Sequence, residues 1–313
     1  MHTHHSHSGD YVSHANDPLE DMVNLYIKKG FKTLCLTEHM PRIDSKFLYP
    51  EELDKSYTSQ NLFEDFHKYL NHAQELKIRH KEKIDIIVGF EIEGINQDHI
   101  NLASRLIDDP KLEMSVGSVH FVHEIPIDFS EDLWVSAKQA SLGGSTRSLY
   151  KSYFELQSKI IDLKPTVIGH FDLIRLCQPQ DDYDETTNKL TKQVNIKSDW
   201  PEVWELILNN IIKVIKYGGL IELNSSAIRK GWDVPYPQKD IAEAIVEAGG
   251  KFCLSDDAHA LSQIGLNYHR VLSYAKDLGI KKLYHVESTD DGIKIVSDTI
   301  EKIESSPFWN QYK

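Results

Sequence analysis

The 313-residue chain contains only three cysteines, Cys35, Cys177 and Cys253. Their number is odd, they lie far apart in the sequence, and Cys35 and Cys253 fall in apolar stretches where buried thiols are common. This usage is not that of a secreted disulfide scaffold and indicates a reducing compartment. We therefore expect a cytoplasmic protein.

The sequence also lacks long apolar runs and an excess of basic residues. No apolar segment approaches the roughly 20 residues that a helix needs to cross a bilayer. The formal net charge is -13, whereas a nucleic-acid-binding surface is usually basic. We therefore expect neither a membrane nor a nucleic acid as partner. A small anionic substrate stays possible, because divalent ions and a few arginines can reverse the potential inside an acidic protein.

What the sequence does contain is an alternation of apolar strand-like stretches and helical patterns. Continuous apolar strands are typical of parallel sheets buried on both faces. An open doubly wound sheet is the alternative, but polar residues recur at the carboxyl ends of the strands, and a barrel brings those ends to one mouth. We predict an α/β barrel, with residues 1–313 as a single domain. The predicted loop excursions lie near 40–58, 121–145 and 177–198.

Histidine is unusually frequent at the start of the chain, where five of the 16 lie within fourteen residues. They are His2, His4, His5, His7 and His14. Imidazole is the commonest metal ligand among side chains, and a His-x-His pair on an extended segment places both rings on one face. Such a cluster can also be an expression tag. Tags usually run uninterrupted, whereas this cluster is interleaved with Thr, Ser and Gly.

Histidines and carboxylates recur where the predicted strands end. They are His2, His4, His39, Glu91, His120, His170, Asp257 and His259. Each one alone has an ordinary explanation, since a single histidine after a strand is more often capped or solvated than bound to a metal. Their repetition on six strands indicates a shared metal site. Eight or nine ligands are too many for one tetrahedral zinc and suit two or three divalent ions, with zinc, manganese or iron favoured by the cysteine-free set.

Six motifs along the chain resemble those of the PHP (polymerase and histidinol phosphatase) metallohydrolase superfamily, and most closely its monofunctional, fungal-type histidinol-phosphatase branch. They are His2-Thr3-His4, Thr37-Glu38-His39, Gly89-Phe90-Glu91, Gly117-Ser118-Val119-His120, Gly169-His170-Phe171-Asp172 and Asp257-Ala258-His259. The resemblance implies a distorted TIM-like (β/α)7 barrel with three divalent metal ions, zinc first and manganese or iron as alternatives. It also implies hydrolysis of L-histidinol phosphate to L-histidinol and phosphate in L-histidine biosynthesis, by attack of a metal-bound hydroxide at phosphorus.

Carried over residue by residue, the resemblance makes the strand-end residues metal ligands: His2, His4, His39, Glu91, His120, His170, Asp257 and His259. One further ligand follows the first motif and is either Asp10, which an ungapped alignment slightly favours, or His14. His5 and His7 have no ligand role in this pattern. Glu91, Asp257 and His259 are the expected catalytic residues. Glu91 would bridge two ions, and Asp257 or a nearby histidine would protonate the leaving alkoxide.

A phosphatase also needs cationic donors for the substrate phosphate, and arginine offers a bidentate one. Arg175 and Arg229 lie just past strand ends, where the resembling phosphatases place basic residues against phosphate. Arg42, which follows His39, is a third and weaker candidate. Glu93, Tyr49 and Asp256 are candidates for contacting the imidazole and the amine of the substrate.

Other functions remain as alternatives. A PHP-type phosphoesterase could act on another small phosphate ester. A barrel deaminase or amidohydrolase would usually carry a metal-bridging lysine on a middle strand, and no predicted strand end offers one. A nucleic-acid phosphoesterase is disfavoured by the acidic charge. A metal-storing protein would bind the ions and hydrolyse no phosphate ester.

Overall fold

The computed structural model describes residues 1–184 and 186–312. Its centre is a sheet of seven parallel strands that follow one another in chain order. They are β1 (His2–Thr3), β2 (Thr33–Leu36), β3 (Asp85–Glu93), β4 (Met114–Ser118), β5 (Val167–Ile168), β6 (Leu220–Asn224) and β7 (Lys251–Ser255). The segments that follow β1 and β7 also pair, because Ser6 bridges Ala258 in parallel and the His7 amide donates to the Ala258 carbonyl at 2.9 Å. The sheet is therefore nearly closed, and the predicted α/β barrel is confirmed.

Helices surround this sheet. They are α1 (Leu19–Lys28), α2 (Pro50–Asp54), α3 (Ser59–His80), α4 (Gln97–Ile107), α5 (Glu131–Ala140), α6 (Thr146–Asp162), α7 (Ile196–Asp199), α8 (Pro201–Tyr217), α9 (Ser226–Arg229), α10 (Lys239–Glu247), α11 (Tyr268–Asp277) and α12 (Ile300–Glu304). In α1, Leu19, Met22, Val23 and Tyr26 are buried, a spacing of three and four residues that gives one apolar face. Within the described residues, no helix is long and apolar enough to cross a membrane.

Two apolar clusters follow from the alternation of side chains along the strands. The larger one packs the outer strand faces against the helices and extends from Met1 to Phe308. The smaller one lies inside the barrel and contains one or two residues from each of β2 to β7 together with Val286: Cys35, Ile87, Met114, Val116, Val167, Leu220, Cys253 and Val286. Strand side chains alternate with period 2, so every second residue of a strand points into the barrel. The inward-pointing residues nearest the carboxyl end of each strand therefore lie at the barrel mouth.

The predicted loop excursions contain short elements of their own. The first holds a 3₁₀ turn at Ser45–Phe47 and α2, and the second holds a hairpin of Phe121–Val122 with Ile125–Pro126, followed by α5. In the third, Tyr183–Asp184 pairs with Lys189–Leu190, and α7 follows. Near the carboxyl terminus a hairpin of two eight-residue strands, Lys282–Thr289 and Gly292–Thr299, contributes Val286 to the interior cluster.

Candidate active site

Histidines and carboxylates meet at the carboxyl-terminal mouth of the barrel, where successive strands end. They are His5 and His7 after β1, His39 after β2, Glu91 and Glu93 in β3, His120 after β4, His170 after β5, and Asp257 and His259 after β7. Glu91 and Glu93 have the same strand parity as Ile87 of the interior cluster, so the period-2 alternation of β3 delivers both carboxylates to the mouth.

Glu91 is the centre of this cluster, and its side chain is only 1% exposed. Five imidazole nitrogens surround its carboxylate. Oε1 lies 3.1 Å from His5 Nε2, 3.3 Å from His120 Nε2 and 3.2 Å from His170 Nε2, while Oε2 lies 2.9 Å from His39 Nδ1 and 3.3 Å from His7 Nε2. One carboxylate with two oxygens therefore contacts five imidazoles from four different strand ends.

Two more carboxylates extend the cluster on either side. Glu93 lies 2.8 Å from His39 Nδ1 through Oε1 and 3.1 Å from His120 Nδ1 through Oε2. Asp257 Oδ1 lies 3.6 Å from His7 Nε2 and 3.6 Å from His259 Nδ1. The site thus forms a continuous chain of acids and imidazoles from Glu93 to His259.

Within residues 1–184 and 186–312, many buried polar atoms of the cluster make close contacts but no hydrogen bond of good geometry. They include His5 Nε2, both ring nitrogens of His7 and of His39, His170 Nδ1, Glu91 Oε2 and Glu93 Oε1. A buried polar atom that makes no hydrogen bond is costly, and such atoms are rare in folded proteins. Converging imidazole and carboxylate lone pairs are the donor set that zinc, manganese or iron takes.

Groups of three ligand atoms within 4.8 Å of one another define where ions would fit. Four overlapping groups occur at the mouth: His7, His39 and His259; His5, Glu91 and His170; His5, His7 and Asp257; and His39, Glu91 and His120. Glu91, His5, His7 and His39 each belong to two groups. The residues present therefore fit a cluster of metal ions with shared ligands.

The charges of the cluster raise the pKa of a histidine and lower the pKa of a carboxylate. Burial would lower the pKa of His39, but Glu91 and Glu93 raise it to about 9. Burial would raise the pKa of Glu91, yet the histidines around it, His5, His120 and His39, hold it well below its ordinary value. Because a metal binds unprotonated imidazole, a cation would displace protons from these histidines, and binding would release protons.

The cluster forms one wall of a cavity of about 270 Å³. Outside the cluster the cavity is lined by His14, Tyr49, Asp128, Phe129, Arg229, Lys230 and Gln263. Arg229 donates from Nη2 to the Asp257 carbonyl at 3.1 Å, which holds the guanidinium at the edge of the cluster. The cavity therefore combines a metal-binding wall with two cationic side chains.

Comparison with known proteins identifies the family. Residues 3–226, more than two thirds of the chain, match the PHP domain. The chain belongs to the PHP domain family. It is 43% identical over 291 residues to a Schizosaccharomyces pombe protein named probable histidinol-phosphatase, covering 92% of this chain and 90% of that one. It is 36% identical over 333 residues to the histidinol-phosphatase of Saccharomyces cerevisiae, covering 99% of each chain.

A solved structure shares the PHP barrel. It is that of histidinol phosphate phosphatase from Lactococcus lactis, complexed with zinc, L-histidinol and phosphate. The two folds superpose with a TM-score of 0.65 over 94% of this chain and 98% of that one, at 17% sequence identity. This likeness establishes the fold.

The first His-x-His pair of this PHP chain does not lie at the mouth. His2 contacts Thr33 Oγ1 through Nδ1 at 3.0 Å, and its ring stacks on His285 with centroids 3.5 Å apart. The Nδ1 of His4 donates to the Leu254 carbonyl at 2.7 Å, and its Nε2 faces the Val286 amide at 3.3 Å. The placement of His2 and His4 among the site residues was therefore wrong.

The physical reason is the height of β1 in the PHP barrel. His2 pairs with Thr33, the first residue of β2, whereas the mouth begins near His39, six residues further along. A strand rises about 3.3 Å per residue, so His2 lies about 10 Å along the strand below His5, the first histidine of the chain that reaches the cluster. His5 and His7, predicted to have no ligand role, are the residues that reach it.

Asp10 and His14, the two alternatives for the further ligand, lie at different places in the structure. Asp10 Oδ2 accepts from the Leu19 amide at 2.9 Å, so this carboxylate caps α1. His14 lines the cavity, with its ring centroid 5.0 Å from that of His259 and 5.3 Å from that of His39. The structure therefore brings His14, and not Asp10, to the site.

Of the three predicted arginines, only Arg229 lines the cavity. Arg175 contacts Asp172 Oδ2 through Nε at 3.2 Å and donates from Nη2 to Asp240 Oδ2 at 2.8 Å, beside a separate cavity. Arg42 is buried, pairs with Glu52 and stacks over the Tyr49 ring at 4.3 Å. The placement of Arg175 and Arg42 in the phosphate site was therefore wrong.

Sequence reasoning missed several residues that surround the site of this PHP domain. Glu222 lies 3.3 Å from His5 Nδ1 and accepts from the His170 amide at 2.6 Å, so it holds two members of the cluster. Glu222 is two residues after Leu220 of the interior cluster, so both side chains point to the same side of the strand. This spacing could have indicated that Glu222 points inward. Lys230, adjacent to Arg229, is the second cation of the cavity.

Proposed function

We propose that this PHP barrel hydrolyses L-histidinol phosphate to L-histidinol and phosphate, as a metal-dependent phosphomonoesterase of L-histidine biosynthesis. The observation that carries the proposal is the convergence of five imidazoles on Glu91 in a cavity that also contains Arg229 and Lys230. Two fungal relatives that match over almost the whole chain bear the name histidinol-phosphatase.

The residues assigned to the metals in this proposal are those at the mouth. They are His5, His7, His14, His39, Glu91, His120, His170, Asp257 and His259. We assign them three divalent ions, with zinc first and manganese or iron as alternatives, because the donors are nitrogen and oxygen without cysteine. When bound, such ions activate water and neutralise phosphoryl charge as Lewis acids.

The phosphoryl group is assigned to the side of the cavity where Arg229 and Lys230 lie. Arg229 uses one guanidinium nitrogen on the Asp257 carbonyl, which fixes its orientation and leaves further N–H donors for phosphate oxygens. Lys230 adds a flexible point charge. Together they offset negative charge that develops on the equatorial oxygens during transfer.

Asp257 fits the role of ligand or proton acceptor better than that of leaving-group acid. Burial would raise its pKa, but His5, His259, Lys230 and His7 hold that pKa well below its ordinary value. The carboxyl is therefore ionised at neutral pH and has no proton to give. Glu91 is assigned to hold the cluster together, as its five imidazole contacts indicate.

We further propose that residues 1–313 act as one domain in the cytoplasm, with a small molecule as the substrate. The continuous apolar cluster from Met1 to Phe308 supports a single domain. The three free cysteines, two of them buried, suit a reducing compartment.

The substrate assignment is tested by measuring phosphate release from L-histidinol phosphate against sugar phosphates, nucleotides and an aryl phosphate, with bound metal quantified in the same sample. We expect the highest kcat/KM for L-histidinol phosphate. A higher value for another small ester would reassign the substrate within the same chemistry. Bound metal without hydrolysis of any ester would contradict the enzymatic role.

A further inference from the structure

Asp128 is the carboxylate in the cavity wall that the metal cluster does not use. It lies between the Phe121–Pro126 hairpin and α5, is half-buried, and lines the cavity. The other two carboxylates of the wall, Glu91 and Asp257, are surrounded by histidines. Within residues 1–184 and 186–312, the Asp128 carboxylate has no hydrogen bond or ion pair to another side chain.

The proposed substrate carries charges of both signs close together. Its ammonium group is on the carbon next to the CH₂–O–P unit, so a phosphoryl group bound at the cluster keeps the ammonium inside the same cavity. There it meets Arg229, Lys230 and the metal cluster, all of which repel a cation. A carboxylate free to pair with it would remove that penalty, and among the described residues that line the cavity Asp128 is such a carboxylate.

We propose that Asp128 binds the ammonium group of the substrate and thereby selects aminoalkyl phosphates over phosphate esters without an amine. The inference rests on the proposed function and deepens it. The aromatic rings of Phe129, which is 44% exposed, and Tyr49 lie 6.3 Å apart on the same side and offer apolar surface for the rest of the substrate.

Asp128 contributes to the pKa shifts of two buried tyrosines near the site. Burial raises the pKa of the Tyr49 phenol well above its ordinary value, and Glu93 and Asp128 add to the rise. Burial acts in the same direction on Tyr236, again with a contribution from Asp128. Asp128 therefore lies near the phenols of Tyr49 and Tyr236.

Glu93 and Asp256, the other acids near the site, already have partners. Glu93 contacts His39, His120 and Arg42. Asp256 accepts from Thr3, from Tyr26 and from the Gly265 amide, and does not line the cavity. Neither carboxylate is available to a substrate ammonium.

The test compares two substrates that differ only in the amine: L-histidinol phosphate and 3-(imidazol-4-yl)propyl phosphate. For Asp128→Asn we expect kcat/KM to fall about tenfold to hundredfold with the amine-bearing ester, the range for losing a charged hydrogen bond. The value for the ester without an amine should be little changed. Asp132→Asn, an exposed aspartate four residues further along, is the matched control and should leave both values unchanged.

Calorimetric binding of L-histidinol provides a readout that does not depend on turnover. Asp128→Asn should weaken L-histidinol binding by a similar factor, leave the binding of 3-(imidazol-4-yl)propanol unchanged and leave the melting temperature and metal content as in the wild type. Asp128→Glu should retain most of the amine preference.

Two outcomes would overturn the inference: an equal loss on both substrates, or no loss on either. Failure of the proposed function looks different. In that case the wild-type protein would prefer a sugar, nucleotide or aryl phosphate to both members of the pair. The ratio between the two members would still decide whether Asp128 recognises an ammonium group.

Discussion

At the scale of single residues, the N-terminal motif occurs twice in immediate succession, as His2-x-His4 and His5-x-His7. The two copies are equivalent as patterns, so the sequence could not distinguish them. The two copies differ in their height in the barrel, because a shift of three residues moves a side chain by about 10 Å along a strand. Only the second copy reaches Glu91, with His5 Nε2 at 3.1 Å and His7 Nε2 at 3.3 Å.

Replacing His7 by Ala should therefore abolish turnover and lower the metal content. The loss in activity should exceed the roughly 100-fold that removal of a residue supporting a metal ligand can cost. His2→Ala is the control, because it removes a ring that stacks on His285 at the other end of β1. It should keep both metal and kcat. Metal content and phosphate release are measured on both variants. Loss of metal and activity in His2→Ala, with both kept in His7→Ala, would make His2 a ligand and contradict this assignment.

Arg229 and Arg175 separate phosphate binding from structural support. Arg229→Ala should lower kcat/KM for the phosphate ester about tenfold to hundredfold while metals stay bound, because a charged hydrogen bond to phosphate is lost. Arg175→Ala leaves the buried Asp172 without its cation, so it should lower the free energy of unfolding and change KM little. Steady-state kinetics and urea unfolding measure both. Loss of metal from Arg229→Ala would mean that this residue supports the cluster.

Asp172 should make stability depend on pH. Burial is the main cause that raises its pKa to about 6, and Arg175 only partly opposes it. Between about pH 4 and 6 the folded protein then holds a proton that the unfolded chain has lost, so this contribution to stability is present at low pH and disappears as pH rises through 6. Asp172→Asn removes the titration. The unfolding free energy of the wild type minus that of the variant should fall from pH 4.5 to pH 7; a constant difference would contradict this account.

At the scale of elements, the strands were predictable because each is a continuous apolar run that ends at a polar residue. Glu91, His120 and His170 were found in this way. Arg175 was not, because a 3₁₀ turn at Leu173–Arg175 separates it from β5 and directs its side chain towards Asp240. Spacing from a strand end predicts which residues approach a mouth, but the local turn decides where each side chain points.

Strand β4 is packed too closely for an added methyl group at Gly117. A Cβ there would lie 2.6 Å from Pro165 Cγ and 3.0 Å from Ile160 Cγ2. Gly117→Ala should lower the free energy of unfolding by about 1–3 kcal/mol, the usual cost of overpacking, and should reduce activity by displacing His120. Ser115→Ala, in the same strand and on the same face, is the control for chemical denaturation. Wild-type stability in Gly117→Ala would contradict this account, because it would show that Ile160 and Pro165 move aside at no cost in free energy.

At the scale of the whole molecule, an acidic chain presents a cavity for an anion. The formal net charge is -13, yet the cavity brings together Arg229, Lys230 and a set of unsatisfied imidazole and carboxylate atoms. Composition gave the net charge, and the alternation of strands and helices with polar strand ends predicted the barrel. Neither could predict the partners of the buried atoms, which depend on the closure of β1 against β7 through Ser6 and Ala258.

Metal binding should couple the mouth to the stability of the whole barrel. An ion that binds only the folded protein stabilises it, by about 2.7 kcal/mol at 100 times its Kd. Chelation should therefore lower the melting temperature. The difference should shrink as pH falls, because protons compete for imidazoles such as His39, whose pKa stands at about 9 without metal. Calorimetry at two pH values checks this, and a melting temperature unaffected by the chelator at neutral pH would contradict it.

The most direct test of the central claim is phosphate release from L-histidinol phosphate before and after metal removal, with metal content measured on the same samples. The wild-type protein should lose activity with its metal and regain it when zinc, manganese or iron is restored. His7→Ala should regain neither activity nor the full metal content. Undiminished hydrolysis by the metal-free wild-type protein would contradict the account.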